Sequence, residues 1–373
     1  MTLRYPASAQ SILALFAERG AELVDVPIIQ PADPFLDMAG EDLRRRIFLT
    51  ESETGETLCL RPEFTIPVCL DHISTRAATP HRYAYIGEVF RQRREGGNEF
   101  FQCGIEDLGE PDAAEADARS IADAHAMLAG ALPGRTLSVT LGDQAIFEAV
   151  LAALGLPRGW QKRLARAFGS PDQLQAALSD LANPQRSGTF SQEVAEFVAS
   201  GDDQALSGRI ADAMHEAGLS ASAGRTPQDI ARRLLEKSDL RSVRLSQAAF
   251  DALRDFLAIK VPLDEAAAAL GAFAKQAELS LTRSLDAFSR RVDAIARQGL
   301  QPRDVEYDAA FGRPLDYYTG LVFEIHAGEN TKPLAGGGRY DRLLTLLGAG
   351  KPIPGVGFSV WLDRVEDLAG GAA

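Results

Sequence analysis

Three groups of polar residues, far apart in the sequence, have types that could bind a small polar molecule. The first contains Glu63 and Thr65, which follow a short apolar run ending at Leu60. A carboxylate and a hydroxyl placed in this way can accept hydrogen bonds from an ammonium group. The same spacing is typical of a turn in which Thr65 is the N-cap of the next helix, and the segment alone leaves both interpretations open.

The second group contains Gln102 and Glu106, which lie four residues apart in a segment that is typical of a strand. Side chains at this spacing point to the same face of a sheet. Gly104 lies between them on that face and removes side-chain bulk. The pattern indicates either a floor for a small polar ligand or an exposed polar sheet face.

The third group begins at Arg313 and includes Tyr317 and Tyr318. The arginine could bind a carboxylate through two parallel hydrogen bonds. A tyrosine hydroxyl could donate to, or accept from, a ring nitrogen. A surface arginine beside a pair of core aromatic residues would give the same pattern.

Two glycine-rich segments follow, at residues 336–338 and 355–357. The first lacks the Gly-Lys-Ser/Thr ending of a phosphate-binding loop, and the second lacks the third glycine of a dinucleotide-binding fingerprint. We therefore interpret both as tight turns, each leading into a helix, and predict no cofactor.

The apolar periodicity predicts the elements that position these groups. We expect a helix near the N-terminus, a strand, a hairpin and a longer antiparallel strand pair, and further strands after Pro302. The corresponding segments are residues 7–19 (helix), 22–26 (strand), 47–49 with 57–60 (hairpin), 82–91 with 99–108 (antiparallel pair), and 305–309 and 321–326 (late strands).

The segment between the early and late strands is rich in Ala, Leu, Glu, Arg and Gln with helical periodicity. One strand-like break, at residues 136–141, interrupts it. The prediction is an α+β protein with a mainly antiparallel sheet interrupted by a helical insertion. Residues 1–130 form the first part of the core, residues 131–302 the insertion with connecting core elements, and residues 303–373 the rest of the core.

Composition limits the function classes. The formal net charge of −13 disfavours nucleic acid as the main partner, because nucleic-acid binding depends on basic residues that neutralise phosphates. Three widely spaced cysteines predict free thiols, and the five scattered histidines predict no metal site. We identify no signal peptide and no run long enough to span a membrane, and therefore expect a cytoplasmic protein.

Taken in order, these segments resemble the core of the class II aminoacyl-tRNA synthetases, specifically that of histidyl-tRNA synthetase. The resemblance implies an antiparallel sheet of six or seven strands flanked by helices, with a homodimer interface near Pro27. Its five blocks are Leu-Arg-Pro-Glu (60–63), Phe-Arg (90–91) with Phe-Gln-Cys-Gly-Ile-Glu (101–106), Arg-Pro-Leu-Asp-Tyr-Tyr (313–318), Ala-Gly-Gly-Gly-Arg-Tyr-Asp (335–341), and residues 355–364.

The resemblance also implies a histidine site. Glu63 and Thr65 would bind the ammonium group, assisted by Gln102. Arg313 would bind the carboxylate, and Glu106 and Tyr318 would hold the two imidazole nitrogens. With the matching phosphate-contacting arginine, the predicted histidine-binding set is Glu63, Thr65, Arg91, Gln102, Glu106, Arg313, Tyr317 and Tyr318.

Three departures from the synthetase pattern affect the nucleotide and tRNA features. The anticodon-binding domain has no counterpart after Arg364, so we expect it to be missing. Arg93 replaces the glutamate that serves the ATP site in the motif Phe-Arg-x-Glu. Trp361 replaces a glycine, and we expect its indole to fill part of the nucleotide cleft.

A chain that keeps the amino-acid site and loses the nucleotide features resembles the regulatory-subunit family of ATP phosphoribosyltransferase. This resemblance implies a non-catalytic partner of the catalytic subunit, with L-histidine as the feedback effector. The alternatives are an active histidyl-tRNA synthetase-like enzyme and a free-standing amino-acid ligase, and both would need ATP. Nucleotide binding therefore separates the enzyme interpretations from the regulator.

Overall fold

The computed structural model describes residues 8–38, 41–94, 96–182, 203–217, 226–228, 230–231, 234, 245–315, 317–328 and 332–370. Asp316, from the third group of polar residues, and several parts of the predicted insertion lie outside the described residues.

Two β-sheets form the framework of the described chain. The larger has nine strands in the order β1-β5-β6-β12-β11-β10-β7-β9-β8, and the smaller has three in the order β2-β4-β3. The strands are β1 (Glu22–Leu23), β2 (Ile29–Pro31), β3 (Leu49–Glu51), β4 (Thr57–Leu60), β5 (His81–Phe90), β6 (Glu99–Leu108), β7 (Leu137–Asp143), β8 (Lys260–Pro262), β9 (Val305–Asp308), β10 (Leu321–Ala327), β11 (Ala335–Arg339) and β12 (Gly355–Trp361).

The centre of the large sheet is antiparallel from β5 to β7, which confirms the predicted pairing of the two long strands β5 and β6. These six strands form the expected antiparallel core, but the whole sheet has nine strands, more than the six or seven expected. Short strands extend both edges, and two of them, β1 against β5 and β9 against β7, pair in parallel. Parallel neighbours need a long crossover connection, and the helical segment between β7 and β9 supplies one.

Helices cover the sheet and make up most of the described chain between β7 and β9. The predicted N-terminal helix and the predicted hairpin between β3 and β4 are both confirmed. The helices are α1 (Ala9–Glu18), α2 (Asp33–Met38), α3 (Glu41–Arg44), α4 (Thr65–Thr75), α5 (Ala113–Ala131), α6 (Gln144–Ala153), α7 (Arg158–Ala167), α8 (Pro171–Ala182), α9 (Asp203–Glu216), α10 (Gln247–Leu257), α11 (Leu263–Gln276), α12 (Thr282–Arg297), α13 (Leu343–Leu346) and α14 (Leu362–Gly370).

The two glycine-rich segments are strands β11 and β12, so their interpretation as tight turns is wrong. Their glycines lie where other side chains cross the sheet. A Cβ on Gly336 would lie 1.8 Å from Nη1 of Arg313, and one on Gly357 would lie 1.8 Å from Oε2 of Glu106. Glycine is needed here because the space above the strand is already occupied.

The two faces of the sheet have separate apolar cores. On β10, Phe323 belongs to the core packed by α5 and α12, whereas the adjacent Val322 belongs to the core that contains Tyr85, Tyr340 and Trp361. Adjacent strand residues point to opposite faces, so the alternation assigns each core to its own side. The polar site lies on the side of the second core.

A buried network of ion pairs connects helix α12 to helix α5 and to the sheet. Arg291 on α12 donates from Nε to Asp117 on α5 at 2.7 Å and forms a close ion pair with Asp143 at the end of β7. Arg339 on β11 donates to the other oxygen of Asp117 at 2.7 Å. Removing one partner would leave an uncompensated buried charge, which costs about 3–5 kcal/mol.

Within the described residues, no helix has the length and apolar character needed to cross a lipid bilayer.

Candidate functional site

A cavity of about 220 Å³ opens between β6, β11, β12 and the loop that follows β9. Seven of the eight predicted site residues line it, so segments separated by up to 255 positions in the sequence converge on one site. Those seven are Glu63, Thr65, Arg91, Gln102, Arg313, Tyr317 and Tyr318.

Helix α4 begins at the cavity, and its first turn orients two site residues. The Glu63 carboxylate accepts hydrogen bonds from the backbone N–H groups of Thr65 at 2.7 Å and Ile66 at 3.0 Å. It therefore satisfies two of the donors that a helix N-terminus leaves open. The alternative in which Thr65 caps this helix is wrong, because Thr65 is its first residue and its hydroxyl donates to Glu106 Oε1 at 2.7 Å.

Glu106 lies behind the cavity wall and is 1% exposed. Its carboxylate accepts hydrogen bonds from Thr65 and, in a very close contact, from the Tyr340 hydroxyl. Burial raises the pKa of Glu106 to about 8, although both hydrogen bonds favour the charged form. Direct contact between Glu106 and a ligand stays a prediction, and the structure connects Glu106 to the cavity through Thr65 and Tyr340.

Two buried side chains on the cavity wall have unsatisfied polar atoms. Gln102 is 0% exposed, and neither its amide nitrogen nor its amide oxygen has a hydrogen-bond partner in the described part of the chain. The same holds for Nε and Nη1 of Arg313, whose Nε lies 3.6 Å from Oε1 of Glu324. Native proteins rarely leave buried polar groups unpaired, so this arrangement is typical of a site built for a ligand.

The second and third groups are therefore neither an exposed polar sheet face nor a surface arginine. Gln102 and Glu106 are both buried, and the Arg313 side chain is 8% exposed. The space freed by Gly104 does not form a ligand floor, because its missing Cβ would lie 2.5 Å from the Tyr85 hydroxyl. That room is taken by Tyr85, which helps to hold Glu106 from behind at 3.3 Å.

Arg91 and Glu63 bring opposite charges to one side of the cavity. Arg91 Nε donates to the carbonyl oxygen of Pro62 at 2.6 Å. Burial lowers the pKa of Arg91 to about 10, opposed by the nearby Glu63 charge, and burial raises the pKa of Glu63. Each group favours the charged form of the other.

An aromatic wall closes the cavity near Arg313. The rings of Tyr317 and Tyr318 lie 5.0 Å apart, and Tyr317 meets Tyr340 edge-on at 5.9 Å. The Arg313 guanidinium carbon lies 5.6 Å from the Trp361 ring centroid and 6.0 Å from that of Tyr318. These contacts place the cation against ring faces, where it is attracted electrostatically.

The two residues that depart from the synthetase pattern, Arg93 and Trp361, each have partners within the chain. Arg93 donates to Asp363 at 3.0 Å and lies 3.3 Å above the Phe100 ring. Arg364 lies 4.5 Å from the Trp361 ring centroid and donates to the carbonyl oxygen of Pro333. Trp361 is 6% exposed on the cavity wall. These contacts occupy the side chains on this side of the cavity, and the filling of a nucleotide cleft by Trp361 stays a prediction.

Two cavity residues were missed by sequence reasoning. Tyr340 donates to Glu106, and Glu324 is the nearest carboxylate to Arg313. Glu324 had a local signal, because it interrupts the buried apolar residues Phe323 and Ile325 of strand β10. Tyr340 follows a strand that was interpreted as a turn, so the direction of its side chain could not be assigned.

No group of metal-binding side chains is present within the described residues.

Comparison with known proteins agrees with the motifs. A family model described as histidyl-tRNA synthetase matches residues 3–236 and 212–365. The ATP phosphoribosyltransferase regulatory subunit of Mesorhizobium japonicum is 71% identical over 368 residues, which cover 99% of both chains. The protein of the same name from Chelativorans sp. is 65% identical over 370 residues, again covering 99% of both chains.

The chain belongs to the family of ATP phosphoribosyltransferase regulatory subunits. The family predicted from the motifs is thus confirmed. A crystal structure from Bacillus halodurans, described as an ATP phosphoribosyltransferase regulatory subunit/histidyl-tRNA synthetase, has a TM-score of 0.63 at 20% identity, and the match covers 96% of this chain and 77% of that one. This likeness confirms the predicted class II synthetase-like fold.

Proposed function

We propose that the cavity binds free L-histidine and that the chain conveys its occupancy to the catalytic subunit of an ATP phosphoribosyltransferase. The observation that carries the proposal is the pair of unsatisfied side chains, Gln102 and Arg313, in a cavity of about 220 Å³. This volume is below the roughly 300–1,000 Å³ typical of sites for drug-sized ligands, and it suits a single amino acid.

The charges of the cavity suit a zwitterion. Glu63 and the Gln102 carboxamide oxygen can accept from an ammonium group, and the Arg313 guanidinium can donate to a carboxylate. The gain in binding free energy is large at Gln102 and Arg313, because a ligand would form hydrogen bonds with atoms that are buried without hydrogen-bond partners. A neutral or singly charged ligand would pair only one of these two ends.

The aromatic side of the cavity suits an imidazole ring. Tyr318 lies on the wall, and the Thr65 and Tyr340 hydroxyls connect the cavity to the Glu106 carboxylate. A ring nitrogen that donates toward this network would favour the charged form of Glu106. Amino acids with apolar side chains offer no such donor, so this part of the site supplies the selectivity for histidine.

The regulatory role is supported by relatives over nearly the full chain, which are named as regulatory subunits of ATP phosphoribosyltransferase. Their name implies a catalytic partner subunit and a place in histidine biosynthesis. Feedback inhibition requires that histidine bind one state of the complex better than another. A coupling free energy of about 1–3 kcal/mol would change the relative affinity for the two states 5- to 150-fold.

A homodimer is part of the same proposal. Four large apolar side chains near the small sheet are between 41 and 57% exposed, although the chain buries most of its other apolar residues. The four residues are Leu23, Ile28, Ile29 and Leu49. The first three lie within four residues of Pro27 in the sequence, the position that the synthetase resemblance assigns to the dimer interface.

The alternative enzymes, a synthetase and a ligase, need a nucleotide site. Arg93, which replaces the glutamate that serves the ATP site in the synthetase pattern, pairs with Asp363, and Trp361, which replaces a glycine at the nucleotide cleft, packs against Arg364. A regulator needs none of these groups. The arrangement therefore favours the regulator over both enzymes.

The direct test is an activity assay of the catalytic subunit reconstituted with this chain. We expect histidine to inhibit the reconstituted complex, and we expect Arg313→Met in this chain to abolish inhibition while the basal activity stays. Inhibition that is unchanged in the Arg313→Met complex would place the effector site elsewhere.

A further inference from the structure

A second cavity, of about 480 Å³, lies next to the histidine cavity, between helices α6 and α7 and the loop after β9. The two cavities share a wall formed by Arg313, Leu315, Tyr317 and Tyr318. The other lining residues are Gln144, Glu148, Arg158, Gln161, Lys162, Ala165, Arg166, Arg342 and Leu346.

The lining is strongly basic, although the whole chain has a net charge of −13. Among the described lining residues there are five cations and a single carboxylate, Glu148. That carboxylate is already engaged, because it accepts from Gln144 at 3.1 Å and lies 3.7 Å from Nη2 of Arg342. The cations are Arg158, Lys162, Arg166, Arg313 and Arg342.

Helix α7 supplies three of these cations from one face. Arg158, Lys162 and Arg166 follow one another at intervals of four residues, whereas Trp160 and Leu164 are buried on the other face. Like charges four apart on a helix repel each other. None of the three cations pairs with a carboxylate of the described chain.

A neighbouring arginine shows that pairing is possible on the same helix. Arg163 forms a close ion pair with Asp180 on helix α8 and lies 5.0 Å from the Trp160 ring centroid. The helix thus pairs the cation that points away from the cavity and leaves unpaired the three that point toward it. A bound anion would relieve their mutual repulsion.

We propose that this cavity binds a small phosphorylated anion with two linked phosphate groups, such as a diphosphate ester. Guanidinium groups bind phosphate oxygens through paired hydrogen bonds, and a lysine adds a mobile point charge. A diphosphate brings several negative charges in a compact group, which matches five cations better than a single carboxylate does. Leu315, Leu346 and the two shared tyrosines leave an apolar side for the organic part of the ligand.

The shared Arg313 couples the two sites. Its guanidinium lines both cavities, and an anion in the second cavity would compete for the donors that a histidine carboxylate needs. We therefore expect each ligand to weaken the other, and by linkage the factor must be the same in both directions. This coupling rests on the proposed histidine site, whereas the anion site itself does not.

The test is calorimetric titration of the full chain with inorganic pyrophosphate at 0.15 M salt, without and with saturating histidine. We expect one site per chain, at least tenfold weaker binding in Arg166→Glu and in Lys162→Glu, and several-fold weaker binding when histidine is present. Arg283→Glu is the matched control, because Arg283 is an exposed cation on helix α12 outside the cavity, and it should bind as the wild type does.

Histidine binding by the variants shows that they are folded. No pyrophosphate binding by the wild-type chain, or equal binding by Arg166→Glu, Lys162→Glu and Arg283→Glu, would overturn the anion site. A tetraglutamate peptide that binds more tightly than pyrophosphate would overturn the assignment to a diphosphate in favour of an acidic protein segment. If the wild-type chain binds pyrophosphate and not histidine, the proposed function fails and the anion site stands.

Discussion

The two sides of the histidine cavity differ in how their polar groups are satisfied. On the side of Gln102 and Arg313, the buried amide of Gln102 and two guanidinium nitrogens of Arg313 have no hydrogen-bond partner within the described residues, although Arg313 Nε lies 3.6 Å from Glu324. On the side of Trp361, the charged groups have found partners within the chain, as in the pairing of Arg93 with Asp363 and of Arg364 with the Pro333 carbonyl.

This difference is what we expect if the first side binds a ligand and the second side does not. An unpaired buried polar group costs about 1–3 kcal/mol, so a chain that does not need a ligand gains stability by pairing or replacing it. The nucleotide side has the paired arrangement that such a gain produces. The amino-acid side keeps the cost, which indicates that a ligand offsets it.

The largest effect is expected from Arg313→Met, which breaks the amino-acid side of the comparison. The variant removes the charged donors for the histidine carboxylate, and hydrogen bonds to charged groups contribute about 1.5–3 kcal/mol. We expect histidine affinity to fall roughly 10- to 150-fold in calorimetry. Arg93→Met, the matched loss of a cation on the nucleotide side, should bind histidine as the wild type does. Equal losses in both variants would contradict the comparison.

A pH dependence of stability is expected from Glu106. Its pKa in the folded chain is about 8, above the value of about 4.3 for an unfolded chain. Between these two pH values the folded state therefore holds a proton that the unfolded state has released. The resulting stabilisation of the folded state is present in full below pH ~4, and it is lost as the pH rises through 8. The slope is at most about 1.4 kcal/mol per pH unit.

Thermal unfolding of the ligand-free chain between pH 5 and 9 measures this effect. The amide side chain of the Glu106→Gln variant is neutral at every pH. We therefore expect the variant to lose the pH dependence of stability that comes from Glu106. A pH profile that is the same in the variant and the wild type would show that Glu106 is ionised in the folded chain at neutral pH.

A smaller and opposite effect on stability is expected from Gln102→Leu. Replacing an unpaired buried amide by an apolar group of similar size should raise the free energy of unfolding by about 1 kcal/mol and weaken histidine binding about tenfold. Gln144→Leu is the matched control, since Gln144 donates to Glu148 at 3.1 Å and to the Ala165 carbonyl at 3.3 Å. The control should lose stability. A loss of stability in Gln102→Leu would show that the amide has a partner.

No effect on nucleotide binding is expected from Trp361→Gly. The substitution removes the indole, but the ion pair between Arg93 and Asp363 and the bond from Arg364 to Pro333 remain. Titration with ATP and magnesium should detect no binding in the wild type or in the variant. ATP binding that appears in the variant alone would mean that the Trp361 indole alone blocks the nucleotide site.

Sequence reasoning found the parts of the site whose signal is local. Glu63 and Thr65 lie in one turn, and Gln102 and Glu106 follow the alternation of one strand. It failed where the signal is non-local. The glycines of β11 and β12 were interpreted as turns, because only the fold shows that Arg313 and Glu106 occupy the space beside Gly336 and Gly357. Asp363, which pairs with Arg93, and Tyr340, which donates to Glu106, lie more than 200 positions away from these residues in the sequence.

The fold was predictable to a similar degree. The long strands β5 and β6, of ten residues each, were found with their antiparallel pairing. Strands β1 and β9 lie within the predicted segments 22–26 and 305–309, whereas β8, with three residues, was not found because it is too short for a periodic signal. Their places in the sheet depend on the crossovers that deliver them, and those are set by tertiary packing.

The central claim, that the chain has kept an amino-acid site and closed a nucleotide site, is tested most directly by calorimetry on the purified wild-type chain. One portion is titrated with L-histidine and another with ATP and magnesium. The account predicts saturable binding of histidine and no heat of binding from ATP. Binding of ATP, with or without histidine, would contradict it.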